Sequence, residues 1–306
     1  MSIRPLKVGV QLPEVEREVR WPEILDMIRA TEDLGYDSIW VGEHLLYRWA
    51  DRPARGPWEA WTSLAAIAAA TSRVEFGPLV ACTNFHNPAL LAKQASSIDE
   101  ISGGRLILGL GAGWNETEFR AFGFPFDHRI DRFEEAFTII RTLLRDGAID
   151  FQGRFYQARD CELLPRGPRP LGPPLMIGSK GPRMLAITLP HVDSWNVWFN
   201  DTGNKPEGVP PLREVVDAAC REVGRDPAEV ERTVAIHVRF PGGQGRIQGD
   251  YSKPLAAAPL EGSPDEMAEV LRAYAREGIQ HVQLVIDPIT RDSIEAFSAV
   301  LQRLEA

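Results

Sequence analysis

A glutamate and a histidine, Glu43-His44, follow the apolar run Ser38-Ile39-Trp40-Val41. A histidine at the end of a strand, over a site shielded from bulk water, can move protons near neutral pH. The alternative is a hydrogen-bonded structural histidine. Successive strand side chains point to opposite faces, so Glu43 and His44 do not serve one substrate atom, and Glu43 is expected to anchor a neighbouring loop. Further along, Gly178-Ser179-Lys180-Gly181-Pro182-Arg183 follows another apolar run and opens a helix. Free N–H groups, the Ser179 hydroxyl and two cations there suit a phosphate. The run Gly109-Leu110-Gly111-Ala112-Gly113 fails the GxGxxG dinucleotide pattern, because the third glycine falls on Glu116. Its small residues either let a flat ring or phosphate approach the backbone, or fit a tight turn, and both readings stand. No HExxH, CxxC or carboxylate cluster has metal-ligand spacing, so no catalytic metal is expected. The absence of GxSxG argues against an α/β-hydrolase.

Short apolar runs alternate with segments of helical period along the whole chain, the βαβα signature of a parallel sheet. Strands are expected at Val8 to Leu12, Ser38 to Val41, Val74 to Ala81, Leu106 to Leu110, Leu175 to Ile177, Val192 to Val197, Thr233 to Val238 and Val282 to Ile286. Consecutive apolar residues such as Leu106-Ile107-Leu108 suit strands covered on both faces. Ser263-Pro264-Asp265-Glu266 reads as a capping box with Pro at the first helical position. Residues 146–174 read as a hairpin and loop insertion, and 199–211 and 240–260 as long loops that could cover a site. No composition shift marks a boundary, so the expected architecture is one (β/α)8 TIM barrel with insertions over residues 1–306. In such a barrel the strand ends carry the chemistry.

The 306 residues carry 34 basic and 43 acidic side chains, a net charge of −9. No basic field collects nucleic acid or anionic lipid. Three cysteines, Cys82, Cys161 and Cys220, form an odd set that fits reduced thiols. The N-terminal segment meets a proline and charges before an apolar stretch develops, and nothing reaches membrane-spanning length. A cytoplasmic location is expected, with a small-molecule substrate and neither nucleic acid nor membrane as partner.

The runs Leu34-Gly35-Tyr36-Asp37-Ser38-Ile39-Trp40-Val41-Gly42-Glu43-His44, Ser102-Gly103-Gly104-Arg105 through Gly113-Trp114, Phe119-Arg120-Ala121-Phe122-Gly123 and Arg132-Phe133-Glu134-Glu135 resemble the bacterial luciferase-like superfamily of flavin and deazaflavin oxidoreductases. Pro173-Pro174-Leu175-Met176-Ile177-Gly178, Asp193-Ser194-Trp195-Asn196 and Ser263-Pro264-Asp265-Glu266 fit the same family in order. The resemblance implies a barrel that binds coenzyme F420, a 5-deazaflavin, or alternatively FMN, across the strand ends. It implies that His44 is the catalytic, proton-handling residue and that Gly178, Ser179 and Lys180, with Gly181, hold the phosphate. A non-prolyl cis peptide is expected at Leu79-Val80, with Leu79, Val80 and Ala81 against the ring. Gly111, Ala112, Gly113, Trp114 and Trp195 complete the expected cofactor set, the two tryptophans as pocket walls. Ala112 stands where bacterial luciferase has a phosphate-binding Arg, and Trp114 where deazaflavin-dependent glucose-6-phosphate dehydrogenases have a catalytic Glu. Those departures argue against sugar-phosphate oxidation and for an apolar or aromatic pocket. The expected activity is F420-dependent hydride transfer; the alternatives are an FMN-dependent monooxygenase and a non-catalytic flavin-binding protein. Members of the family are often dimers, so a homo-oligomer is expected.

Overall fold

A computed structural model of the chain describes residues 4–50, 52–244 and 257–305. Strands and helices alternate: β1 (Lys7–Gln11), α1 (Trp21–Asp33), β2 (Ser38–Val41), α2 (Ala60–Ala70), β3 (Glu75–Pro78), β4 (Ala81–Cys82), α3 (Pro88–Ser102) and β5 (Leu108–Gly111). Then follow α4 (Glu116–Phe122), α5 (Arg129–Asp146), β6 (Ala148–Gln152), β7 (Gln157–Glu162), β8 (Leu175–Ile177) and α6 (Pro182–Thr188). The remainder is β9 (Ser194–Val197), α7 (Phe199–Thr202), α8 (Val209–Glu222), β10 (Glu231–Arg239), α9 (Pro264–Arg276), β11 (His281–Asp287) and α10 (Arg291–Glu305).

Nine parallel segments are ordered β3-β2-β1-β11-β10-β9-β8-β5-β4. A further parallel bridge from Phe76 to Leu106 closes the ring. The expected third strand is in fact two pieces, β3 and β4, separated by a cis Leu79-Val80 peptide. Counted as one, they give the eight strands of a (β/α)8 barrel. The antiparallel β6 and β7 form the expected hairpin insertion. Residues 199–211 are not simply a loop: they hold α7, a 3₁₀ turn and the first turn of α8. Most of the expected cover at 240–260 lies outside the described residues, which stop at 244 and resume at 257.

Strand alternation divides the core in two. Val8, Val10, Ile39, Val41, Leu108, Leu110, Ile177 and Leu284 pack outward under the helices. Trp40, Leu79, Ile107, Met176, Ala235 and Val285 fill the barrel interior. The interior is also polar: Asn196 Nδ2 donates to Thr233 Oγ1 and Gln283 Oε1 at 2.7 and 2.8 Å. Helix α9 starts where its sequence says. Ser263 and Glu266 form the capping box of α9. Arg105, within the Ser-Gly-Gly-Arg run, donates to the carbonyls of Ala68, Thr71, Val74 and Ser102, which ties the end of α2 to the base of the barrel.

Candidate active site

Beyond β2 the alternation continues, so Gly42 and His44 face the barrel mouth while Glu43 turns outward. Glu43, 5% exposed, accepts from Trp61 Nε1, Cys82 N and His86 Nε2 at 2.9, 2.6 and 2.7 Å. It ties three neighbouring segments together, the anchoring role its position suggests.

His44 lies between two buried carboxylates. Its Nδ1 is 2.9 Å from Glu118 Oε1, and the other Glu118 oxygen accepts from Leu45 N and Leu46 N. A carboxylate is acceptor-only, so Nδ1 carries the proton and donates it. Its Nε2 faces Glu14 Oε1 at 3.6 Å. Glu14 in turn accepts from Tyr47 Oη at 2.6 Å and from Gln11 Nε2 at 3.0 Å. Burial works to lower the His44 pKa, but the Glu14 charge and the Glu118 hydrogen bond outweigh it and leave the pKa raised. With Nδ1 committed, Nε2 is the nitrogen that can exchange a proton with a ligand. The ring packs against Tyr47 at 4.7 Å and meets Trp114 edge-on at 5.4 Å.

Glu118 is delivered by the glycine turn after β5. Gly113 has φ 74°, and a Cβ there would lie 2.5 Å from Cys82 Sγ. Asn84 Nδ2, Arg129 Nη1 and Asn115 Nδ2 donate to the carbonyls of Ala112, Gly113 and Leu46. Those bonds fix the turn, so α4 begins with Glu118 aimed at His44. Trp114, at the tip of the turn, is 48% exposed.

The other glycines of this run make room for Val80. A Cβ on Gly111 would lie 2.8 Å from Val80 Cγ2, and one on Gly109 or Gly178 would lie 3.0 or 3.2 Å from Val80 Cγ1. The side chain of Val80, half-buried, therefore rests on a glycine floor and forms an apolar shelf at the mouth. Ala81 is fully buried behind it in β4, on the helix side.

The loop after β8 carries Gly178, Ser179, Lys180 and Gly181. Ser179 Oγ accepts from Gly181 N at 3.4 Å, and Lys180 Nζ is paired with Asp201. Arg183 is not turned toward this loop; it pairs with Asp131 and Glu134 of α5 at 2.6 and 2.9 Å. Trp195 is also misplaced by the sequence reading. It is 1% exposed, packs outward under the helices and donates Nε1–H to Ser179 O at 2.7 Å. It supports the loop rather than lining the mouth, because its neighbour Asn196 takes the inward position.

The model of the luciferase-like monooxygenase family matches residues 6–241. The chain belongs to that family. Among the relatives of this luciferase-like enzyme, the F420-dependent glucose-6-phosphate dehydrogenase of Amycolatopsis mediterranei is 28% identical over 95% of this chain and 85% of its own. The 5,10-methylenetetrahydromethanopterin reductase of Archaeoglobus fulgidus is also 28% identical, over 72% of this chain; the alignment spans 60% of the reductase, less than two thirds of its length. The fold superposes on an F420-dependent secondary alcohol dehydrogenase with TM-score 0.79 and 20% identity, covering 98% of this chain and 99% of that one. No described helix is long and apolar enough to cross a membrane.

Proposed function

We propose that this enzyme is a coenzyme F420-dependent oxidoreductase that moves a hydride to or from a small organic substrate. The carrying observation is His44 held by Glu118, with its Nε2 edge at the mouth that also carries the Val80 shelf. A flavin or deazaflavin cofactor is supported by the family; the choice of F420 is supported by the names of the relatives. The residues present fit a flat ring: the shelf is apolar and clear of glycine Cβ atoms, and Gln11 Oε1 is a buried acceptor without a partner. When bound, the deazaflavin supplies or takes the hydride.

The chain's own residues do the rest. Leu79 and Val80 back the ring, while the Gly111-Ala112-Gly113 turn and Trp114 border it. The 178–181 loop holds the phosphate through Ser179 Oγ, backbone N–H groups and Lys180, whose ammonium exchanges the Asp201 carboxylate for a phosphate. His44 Nε2 gives or takes the substrate proton, and Glu118 keeps the imidazole in the tautomer that can do so. The second reading, an FMN-dependent monooxygenase, is favoured by the description of the family. The two separate in one assay. The F420 reading predicts bleaching of the oxidised deazaflavin with substrate and no oxygenated product; an oxygenated product formed with reduced FMN and oxygen, without bleaching of the deazaflavin, overturns it.

A further inference from the structure

Three arginines gather around the turn that leads into β9, at the end of the barrel opposite His44. Arg141 and Arg145 lie one turn apart on α5. Phe137, one turn before Arg141, has its ring centre 6.2 Å from that of His191. His191 itself stands between α6 and β9, exposed to solvent. From the other side Arg225, just beyond α8, donates Nη1–H to the carbonyls of Leu189 and Val192, which bracket His191. Partial desolvation of the His191 ring, and after it the charges of Arg141, Arg225 and Arg145, hold its pKa below the ordinary histidine value.

The nearby carboxylates do not serve all of these cations. Asp193 Oδ2 takes Arg145 Nη2 at 3.0 Å and the N–H of Leu175 at 2.7 Å. Glu229 meets Arg225 Nε at 3.3 Å from an exposed position. Asp146, the last residue of α5, pairs with none of the three. Arg141 has no hydrogen-bond or ion-pair partner among the described residues, and its Nε is buried. A guanidinium closed off in this way asks for an acceptor from outside the chain. Arg225 also keeps Nη2 uncommitted. Two guanidinium groups and an imidazole match the several oxygens of a phosphate group, whereas a carboxylate would occupy only one guanidinium fork.

We propose that Arg141, Arg225 and His191 form an anion site for a small molecule bearing a phosphate group, at the far end of α6 from the 178–181 loop. The site is independent of the cofactor reading, and its test uses the full chain without cofactor. Ring-labelled histidine is titrated by NMR in inorganic phosphate and in chloride of equal ionic strength, with the His191 signal identified by its loss in His191→Asn. The expected result is that phosphate raises the His191 protonation constant saturably, by about three- to tenfold over chloride, and that Arg141→Gln abolishes the difference. In chloride, Arg141→Gln should by itself raise that constant, because a positive neighbour is gone; no change would mean that Arg141 does not face the ring and would overturn the site. Equal titrations of the native chain in phosphate and chloride also overturn the proposal, since an ordered water then serves Arg141 Nε. So does a phosphate response that survives Arg141→Gln in full, which puts the anion elsewhere. The native comparison decides even if Arg141→Gln does not fold.

Discussion

Replacing Glu118 by Gln removes one charge and almost no volume. The native carboxylate serves His44 Nδ1 at 2.9 Å, Leu45 N at 2.8 Å and Leu46 N at 3.3 Å. The amide keeps one oxygen for three donors. If the backbone amides retain it, the new NH2 group faces Nδ1, which can accept only after losing its proton. At an effective dielectric constant of about 20, charges about 4 Å apart attract by roughly 4 kcal/mol. Glu14 persists and the imidazole is partly exposed, so the net loss is closer to the 1.5–3 kcal/mol of a hydrogen bond to a charged group. That is roughly a tenfold to hundredfold fall in the His44 protonation constant. The assay is NMR titration of ring-labelled histidine in both proteins. The folded His44 pKa is raised, so its stabilising contribution is present below the ordinary value of about 6.5 and is lost as pH rises through the folded pKa. Glu118→Gln should flatten that decline in denaturant midpoint. An unmoved or upward-shifted His44 titration in a folded variant refutes the reasoning.

The remaining predictions concern the reaction and the phosphate. His44→Ala should keep cofactor affinity within a few-fold and lower turnover by about 10²–10⁴; steady-state kinetics beside equilibrium binding checks this, and unchanged turnover removes His44 from the mechanism. Ser179→Ala with Lys180→Ala should weaken FMN more than riboflavin, and equal losses by fluorescence titration would mean that the phosphate sits elsewhere.

The barrel was legible because buried parallel strands and amphipathic helices carry different periods. His44 was legible because it lies three residues beyond β2, where the strand's alternation still fixes its direction. Glu118 was not, because its approach depends on the angle at which the Gly113 turn launches α4, and no spacing between residues 44 and 118 encodes that angle. Glu14 escapes for a related reason, since it reaches His44 from the loop after β1; Gln11 closes β1 itself and was open to the strand-end rule. Trp195 takes the face opposite to the one that an aromatic residue at a strand end suggests. The polar pair Ser194 and Asn196 flanking it is the available signal, since the barrel interior holds the Asn196, Thr233 and Gln283 network. For Gly109 and Gly111 the sequence left two readings, and the geometry adds a third partner. They make room for Val80, and only through it for a ring.

The most direct test of the central claim is equilibrium titration of the purified chain with coenzyme F420 and FMN, each oxidised and reduced, followed by absorbance and fluorescence. The account predicts saturable binding of F420 at one site per chain, tighter than that of FMN. Binding of neither cofactor in either redox state would contradict it.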